Sequence, residues 1–406
     1  MIDLRQRPLV RPRFLRWSGV VFVCLVPLVI HAAWDYAESW RLSSLVAEIR
    51  ANGEPVTLYE IQSPRNIVGD AALADRYYRA AASLSGPPEP ARDAERRAND
   101  EALRLLDLAT PLPFAGFLPG TDHGLRTGEL TGLAVAAGAR TAAAIEAGDG
   151  RRASESLYAE LRLGRLFDNI LAIRAVVPRA LMRLADVTRL ADRDSLARLA
   201  VALEELDRDD LLRAQLLRER ASILENGELR GRPVIANGVA RLPSDVLAIL
   251  TRPWYLQIFN RRLETLGSLI ETASRPWPRR LEIGQLPYID PDFREVDEFR
   301  FGAVAQVLAL VRCARVGVAS ARYRLDRGAR PSALASLVPA YLPAVPTDPF
   351  SGSPINWIAN DGVELVYSVG PDRGDDRGRT LIDAAAAPGP RRAVARGDVG
   401  LRFTDR

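Results

Sequence analysis

Residues 144–163 read AIEAGDGRRASESLYAELRL, two helix-forming segments on either side of the break Gly148-Asp149-Gly150. Apolar residues recur at helical spacing on both sides of this break, from residue 129 to about residue 224. Because short breaks between helices of this length join antiparallel neighbours, the stretch predicts a mainly α-helical protein. The helices predicted here are 129–147, 151–173, 175–191, 194–206 and 208–225.

Helical patterning extends outward from this stretch in both directions. The break at 148–150 resembles the join between two hairpin repeats of the tetratricopeptide kind, but the next comparable join lacks the same residues. No fixed period is therefore present, and we predict an irregular helical bundle or solenoid-like domain over residues 35–298. Its further helices are predicted at 35–50, 67–84, 91–109 and 244–273.

A different architecture is predicted beyond residue 298. An amphipathic helix begins near Arg300 and ends at Gly328, a residue suited to a helix C-cap. Two strands, 355–358 and 363–369, are joined by an Asn-Asp-Gly turn that favours a hairpin. We therefore expect a small α+β module over 299–380 and a loosely ordered tail over 381–406.

The order of motifs in this module carries a family resemblance. The segments YRLDRGARP (323–331), LVPAYLPAVPTDPFSG (337–352) and ELVYSVGPDRGDD (364–376) follow one another. This order resembles the C-terminal part of the major pseudopilin of type II secretion, and the related domains appended to helical, membrane-anchored bacterial proteins. The resemblance covers under a fifth of the chain and implies a long helix packed on a small antiparallel sheet.

The resemblance also implies a calcium site in the loop after the last strand, with Asp372, Asp375 and Asp376 as the metal ligands. Calcium takes six to eight oxygen ligands, and a loop can add backbone carbonyls. However, Arg373 and Arg377 stand where glycine or an acid would be expected. The alternative is a solvated, turn-forming loop that binds no metal.

An apolar segment near the N-terminus predicts a membrane anchor. Residues 17–34, WSGVVFVCLVPLVIHAAW, contain no charged side chain and have tryptophan at both ends. Eighteen helical residues span about 27 Å, close to the roughly 30 Å of a bilayer's hydrocarbon core. The competing interpretation is a cleaved signal peptide, but the residue three before the cut would be Ile30 or His31 rather than a small one.

The charge distribution supports this topology. The chain has no lysine, and its first 16 residues carry five arginines and one acid, which account for the whole net charge of +4. An arginine-rich tail at 1–16 predicts a cytoplasmic N-terminus, an inner-membrane location and an extracytoplasmic, periplasmic bulk. Because the rest of the chain is net neutral, a nucleic-acid partner is not expected.

Few residues are suited to catalysis. Two cysteines far apart (Cys24 and Cys313) and two histidines (His31 and His123) exclude a disulfide framework and a multi-histidine metal centre. His123 lies in a polar loop without a nearby nucleophile motif, so we interpret it as surface. The acids Asp207, Asp209 and Asp210 lie at a helix junction, where capping and solvation are the expected roles.

The function that these patterns favour is a non-catalytic binding or scaffolding role in the bacterial cell envelope, with protein partners and a link to a secretion-like assembly. Irregular helical hairpins often present concave binding faces. The alternative is an envelope enzyme, a cell-wall polymer hydrolase with a site of dispersed carboxylates such as Asp122, Glu225 and Glu228. A third possibility is a membrane-tethered spacer without a ligand.

Overall fold

The computed structural model describes residues 13–61, 69–85, 93–113, 127–166, 170–229, 244–286, 291–360, 362–379, 381 and 397–404. This part of the chain is mainly helical and adds one small antiparallel sheet in the order β1-β2-β3, so the expected mainly α fold class is confirmed. The helices are α1 (Arg13–Ala51), α2 (Leu58–Ile61), α3 (Asp70–Leu84), α4 (Asp93–Ala109), α5 (Thr127–Glu146), α6 (Gly150–Gly164), α7 (Ile170–Leu190), α8 (Arg193–Leu206), α9 (Leu211–Leu229), α10 (Ser244–Ala273) and α11 (Arg294–Arg327). The strands are β1 (Asn356–Asn360), β2 (Val363–Ser368) and β3 (Val399–Thr404).

The chain forms two compact units. Unit 1 comprises Met1–Thr57 and Arg220–Leu266, and unit 2 comprises Leu58–Glu219 and Gly267–Arg406. This division differs from the expected boundary between residues 298 and 299, because the C-terminal helix and sheet share unit 2 with most of the helical region. The expected anchor and the expected stalk are likewise one continuous helix, α1.

In unit 1, α1 and α10 run parallel to each other. Hydrogen bonds and an ion pair join the two helices with sequence separations of 217 to 223 residues. Since the separation is nearly constant, a residue of α10 lies level with the α1 residue about 220 positions earlier. The joined pairs are His31 with Leu250, Asp35 with Arg252, Glu38 with Asn260, and Arg41 with Glu264.

The hydrophobic core of unit 1 lies toward the C-terminal end of α1. It contains Ile49 and Val56 together with Leu224 of α9 and Phe259 and Leu263 of α10. Each of these side chains is at most 9% exposed. The core therefore holds three helices together beyond the segment predicted to lie in the membrane.

The helix break that opened the sequence analysis shows why these residues separate α5 from α6. Gly148 has a φ of 68°, a left-handed conformation that glycine adopts without strain. Asp149 caps α6 by accepting a hydrogen bond from the backbone N–H of Arg152 at 3.0 Å. At Gly150 a Cβ would stand 2.0 Å from the carbonyl oxygen of Leu190, so only glycine permits this close approach of α6 to α7.

Helix α11 is the central element of unit 2. It packs against α7 and α8 and also against β2 and β3, and it ends at Gly328, which has a φ of 68°, as expected for this C-cap. A Cβ at Gly317 would stand 2.0 Å from the Phe403 ring, so strand β3 crosses the helix at this glycine. Cys313, one turn earlier, is completely buried, and burial raises the pKa of its thiol.

Helix α11 also has the length and apolar composition that could cross a membrane, the one such helix among the described residues. However, 89% of its apolar window is buried inside the protein. The helix is therefore packed as a core helix. The membrane prediction for residues 17–34 concerns α1, whose side chains are described only from Leu25 onward.

The C-terminal tail contains the main error in the expected fold. Loose order was expected over 381–406, but Val399–Thr404 form strand β3, which pairs antiparallel with β2. The expectation is therefore wrong for these six residues. Val399, Leu401 and Phe403 are buried at alternate positions, and this alternation is the sequence signal that could have indicated a strand.

Candidate functional site

Helix α1 has an inverted distribution of polarity along its first described turns. Leu25, Leu28, Val29 and Ile30 are between 52 and 65% exposed. A helix that faces water normally turns its apolar residues inward. The exposed surface of this part of α1 is therefore suited to a hydrophobic environment.

The inner side of α1 is polar over the residues that follow this apolar stretch. Asp35, Glu38 and Arg41 contact polar groups of α10. The Arg41 guanidinium binds both carboxylate oxygens of Glu264, at 2.8 and 2.9 Å. These contacts lie beyond the predicted membrane segment and join α1 to α10 there.

Beyond residue 41, α1 returns to the arrangement of a water-facing helix. Leu42, Leu45 and Val46 pack against the unit 1 core, while Ser43 and Glu48 are exposed. The change occurs after Trp40, which is 66% exposed. Exposed aromatic residues are enriched at membrane–water interfaces, and Trp34 (38%) and Tyr36 (74%) are exposed as well.

A second candidate site is a cleft in unit 2. It has a volume of about 570 Å³ and is formed by residues of α4, α5, α6 and α8. Its walls carry basic side chains, acidic side chains and one tyrosine ring. Its charged and aromatic lining comprises Asp107, Arg140, Arg152, Glu155, Tyr158 and Arg198. We refer to these residues as the α4–α8 cleft.

The basic residues of the cleft differ in how they are neutralised. Arg140 binds both carboxylate oxygens of Asp107, at 2.8 and 2.9 Å, and its Nε donates to Ser156 at 3.0 Å. Among the described residues, neither Arg152 nor Arg198 pairs with a carboxylate within 4.0 Å. These two exposed guanidinium groups are therefore available to an acidic ligand.

A buried acid lies close to the cleft, one helical turn after Ser156. Glu160 is 2% exposed, accepts a hydrogen bond from Thr141 and pairs with Arg183 at 3.0 Å. Burial raises the pKa of Glu160 to about 7, although Arg183 and Arg140 oppose the shift. The carboxyl group therefore changes its charge near neutral pH.

The acids at the α8–α9 junction have a larger structural role than capping and solvation. Asp207 accepts from Arg312 at 2.9 Å and also pairs with Arg315, both on α11. Asp209 pairs with Arg312 at 2.9 Å. The remaining Arg312 donor reaches the backbone carbonyl of Thr347 at 2.9 Å. This cluster of charges, which we call the Arg312 network, ties the junction to α11 and to the module that follows.

A structural aspartate went unrecognised in the sequence. Asp348 is fully buried, and its carboxylate accepts hydrogen bonds from the backbone of Phe350 and Val369 at 2.9 and 3.0 Å. It also accepts from the hydroxyl groups of Ser351 and Ser368, at 3.1 and 2.7 Å. Because all these partners are donors from the protein, the carboxylate holds the 347–353 loop against the end of β2.

The three aspartates of the expected calcium loop lie on the surface, and the carboxylates of Asp372 and Asp375 face backbone donors. Asp372 accepts from the N–H groups of Gly374 and Gly397, at 3.2 and 3.0 Å. Asp375 accepts from the N–H of Arg377 at 2.8 Å, and the N–H of Asp376 donates to Asp398 at 3.5 Å. These contacts are typical of Asx turns.

The environment of this loop disfavours extra negative charge. Asp398 is buried, and desolvation raises its pKa, as do the nearby Asp375 and Asp376. Burial also raises the pKa of Tyr367 to about 12, and the Asp375 carboxylate adds to the shift. Among the described residues, no three acidic, histidine or cysteine side chains are grouped so that they could hold a metal ion. Calcium binding stays a prediction.

The residues considered for catalysis are not brought together in the described part of the chain. Asp122 and His123 lie outside the described residues, and the side chain of Glu228 is also outside them. Glu225 is exposed on α9. The hydrolase alternative therefore stays a prediction, since two of its three acids are not among the side chains that the structure describes.

Three comparisons place the chain against known proteins. No protein-family model, curated protein or solved structure matches it. The pseudopilin-like resemblance of the C-terminal module therefore stays a prediction, and the proposed function depends on the residues described above.

Proposed function

We propose that this protein is a membrane-anchored, extracytoplasmic scaffold of the bacterial cell envelope, held by residues 17–34 of α1 with its N-terminus in the cytoplasm. The single observation that carries the proposal is the inverted polarity of α1. Leu25, Leu28, Val29 and Ile30 are exposed, and the polar side chains of residues 35, 38 and 41 beyond them face α10. In water, such a surface would cost free energy roughly in proportion to its apolar area.

The orientation follows from the charge at the N-terminus. Five arginines precede the apolar segment, and arginine-rich flanks remain on the cytoplasmic side. The parts of units 1 and 2 that follow residue 34 would then fold outside the cytoplasm. The pseudopilin-like order of motifs in 323–376 supports a link to a secretion-like assembly, in which such modules occur.

The binding role is assigned to the α4–α8 cleft. Its walls come from four helices of one compact unit, and Tyr158 and two unpaired arginines face a volume of about 570 Å³. Guanidinium groups bind carboxylates with two hydrogen bonds, and tyrosine is enriched in protein interfaces. An acidic segment of a partner protein is the ligand that this lining fits.

The anchor is tested by a topology reporter. Alkaline phosphatase, which is active only outside the cytoplasm, is fused after Arg406 and measured in intact cells. We expect high activity in the membrane fraction. The control replaces the five N-terminal arginines with serine, which should reduce the activity because the positive flank sets the orientation. An active cytoplasmic reporter at the same position in place of the phosphatase would contradict the proposal.

The cleft is tested by site-specific photo-crosslinking in intact membranes. A benzophenone amino acid replaces Tyr158 in the cleft or, as the matched control, Tyr59, which is 70% exposed on α2. We expect a crosslinked partner from position 158 that is lost in the double variant Arg152→Ser/Arg198→Ser. Equal crosslinking from position 59, or none from position 158, would refute the binding role of the cleft.

Calcium is the one metal ion whose binding we propose. Asp372, Asp375 and Asp376 lie together on one exposed loop, where backbone carbonyls could complete a coordination shell. Calorimetric titration of the full-length protein with calcium should give a saturable heat that Asp375→Asn reduces. A titration without heat would end the calcium proposal and leave the scaffold proposal intact.

A further inference from the structure

The first described turns of α10 share the inverted polarity of α1. Ile249, Leu250 and Trp254 are 63%, 49% and 57% exposed, and Ile258 is 37% exposed. Farther along the helix the exposed positions are the charged residues Arg261 and Glu271, while Asn260 is buried against Glu38. Exposed apolar side chains therefore occupy the beginning of α10 and stop near residue 258.

The two exposed apolar surfaces end at the same level. Because α10 residues lie level with α1 residues about 220 positions earlier, Trp254 is level with Trp34 and Ile258 with Glu38. Trp34 is the last residue of the predicted membrane segment. The two tryptophans are thus placed in one aromatic belt, at the extracytoplasmic interface between this membrane and water.

The length of α10 before Trp254 matches one leaflet of a bilayer. Residues 244–253 are ten helical residues, which rise about 15 Å. This is half of the roughly 30 Å thickness of the hydrocarbon core. An α10 that lies in the outer half of the hydrocarbon core and passes the interface at Trp254 would expose Ile249 and Leu250 to lipid, with Arg252 near the level of the interface.

The charges of this segment are placed where such insertion can accommodate them. Arg252 pairs with Asp35 at the level of the interface, so neither charge enters the bilayer unpaired. His31 faces the backbone carbonyl of Leu250 at 3.1 Å. Asp245 occupies the first turn of α10, where the positive end of the helix dipole favours an acid.

We propose that the N-terminal turns of α10, from residue 244 to Trp254, insert into the outer leaflet of the membrane beside α1 and form a second membrane contact. This inference rests on the proposed function, because it needs α1 to span the bilayer. The occupant of the exposed surface is lipid acyl chain. The continuity with the apolar surface of α1, the shared tryptophan level and the one-leaflet length all favour lipid over a protein partner.

The test measures the surroundings of single nitroxide labels on the full-length protein. The background is Cys24→Ser with the buried Cys313 left in place. Labels are attached to Leu250→Cys, to Ile30→Cys in the anchor, and to Val201→Cys as the control. Val201 is 52% exposed, against 49% for Leu250, so the control matches its exposure. The protein is reconstituted in vesicles of phosphatidylethanolamine and phosphatidylglycerol.

Collisions with oxygen report lipid, and collisions with a water-soluble nickel chelate report water. We expect the oxygen-to-nickel ratio at positions 250 and 30 to be severalfold above the ratio at position 201. Because a label at 250 is next to the contact with His31, Trp254→Cys provides an independent reading, expected between the values for lipid and water.

Each other outcome overturns the inference in a distinguishable way. A lipid signal at position 30 with a water signal at 250 refutes the insertion of α10 and leaves the anchor standing. Water signals at both positions refute the proposed function and the inference together. A label at 250 that neither reagent reaches, with spin–spin broadening between copies, would show that a second copy of the chain covers this surface instead of lipid.

Discussion

Helices α1 and α11 are the two longest helices of the protein, and each carries a long apolar stretch. In α11 that stretch is 89% buried against other helices and the sheet. In α1 the side chains of Leu25, Leu28, Val29 and Ile30 are more than half exposed. Composition alone therefore does not separate a core helix from a membrane helix. What separates them is whether the rest of the chain supplies a surface to cover the apolar side chains.

The two helices also treat charge differently. The arginines that α11 directs into unit 2 are paired with acids from a distant helix junction, whereas the charged residues of α1 at 35–41 face a single neighbour, α10. A packed helix can carry buried charges where several partners converge on them. A helix in lipid keeps its few charges on its one protein-facing side.

The largest expected effect concerns a charge on α11. Arg312→Met should lower the free energy of unfolding by about 3–5 kcal/mol, because the buried Asp207 loses one of its two arginine partners and the Thr347 carbonyl loses a donor. Urea unfolding of the full-length protein in detergent, followed by circular dichroism, measures this. The control Arg41→Met removes a half-exposed pair of α1 and should cost about 1 kcal/mol or less. Equal costs would contradict the contrast between the helices.

Truncating one leucine in each helix tests the contrast in burial directly. Leu308 of α11 is fully buried and Leu28 of α1 is 59% exposed. Leu308→Ala should lower the free energy of unfolding by about 2–5 kcal/mol, because the substitution leaves a cavity in the core. Leu28→Ala should stay within about 0.5 kcal/mol in the same urea titration. A large loss at Leu28 would mean that protein covers this surface.

A pH titration tests the buried carboxyl group of Glu160 on α6, a helix that packs against α7 and α8, the two helices next to α11. The pKa of Glu160 is about 7 in the folded protein and near 4.5 when unfolded, so the folded state holds this proton longer. Below pH 4.5 the group contributes nothing to the pH dependence, and between pH 4.5 and 7 stability falls as pH rises. The total change is on the order of 3 kcal/mol. Glu160→Gln should lack this pH-dependent loss. The free energy of unfolding of the variant should therefore rise relative to that of the wild type between pH 4.5 and 7. A constant difference between the two would contradict the raised pKa.

The smallest expected changes in stability come from replacing two glycines of α11 with alanine. A Cβ at Gly317 would stand 2.0 Å from the Phe403 ring, whereas nothing lies within 4 Å of a Cβ at Gly302. Gly317→Ala should destabilise the protein by about 1–3 kcal/mol through overpacking. Gly302→Ala should stabilise it by up to about 1 kcal/mol, because alanine favours the helix. Thermal melting of both variants measures the sign, and the same sign at both positions would contradict the crossing of β3.

Local residues predicted most of the helices. The Gly-Asp-Gly break at 148–150 and the cap at Gly328 are both found where the sequence indicated them, since a turn or a cap depends on a few adjacent residues. The hairpin of β1 and β2 was likewise predicted from its turn and from apolar residues close in sequence.

Contacts between residues far apart in the sequence could not be predicted from local patterns. Asp207 meets arginines more than 100 positions away, and no local pattern indicates that pairing. The α4–α8 cleft combines residues of four helices, and β3 follows a segment rich in alanine and arginine that obscured its alternation. The parallel arrangement of α1 and α10 also depends on tertiary contacts between residues more than 200 positions apart.

The burial of Cys313 has a consequence for a chain that folds outside the cytoplasm. Oxidising compartments convert accessible thiolates into disulfides. Its raised pKa keeps this thiol protonated, and the surrounding helix and strand exclude an oxidant. Under the proposed topology, this thiol would be open to oxidation only between export and the docking of β3, so closure of that strand over the helix would protect each newly made molecule.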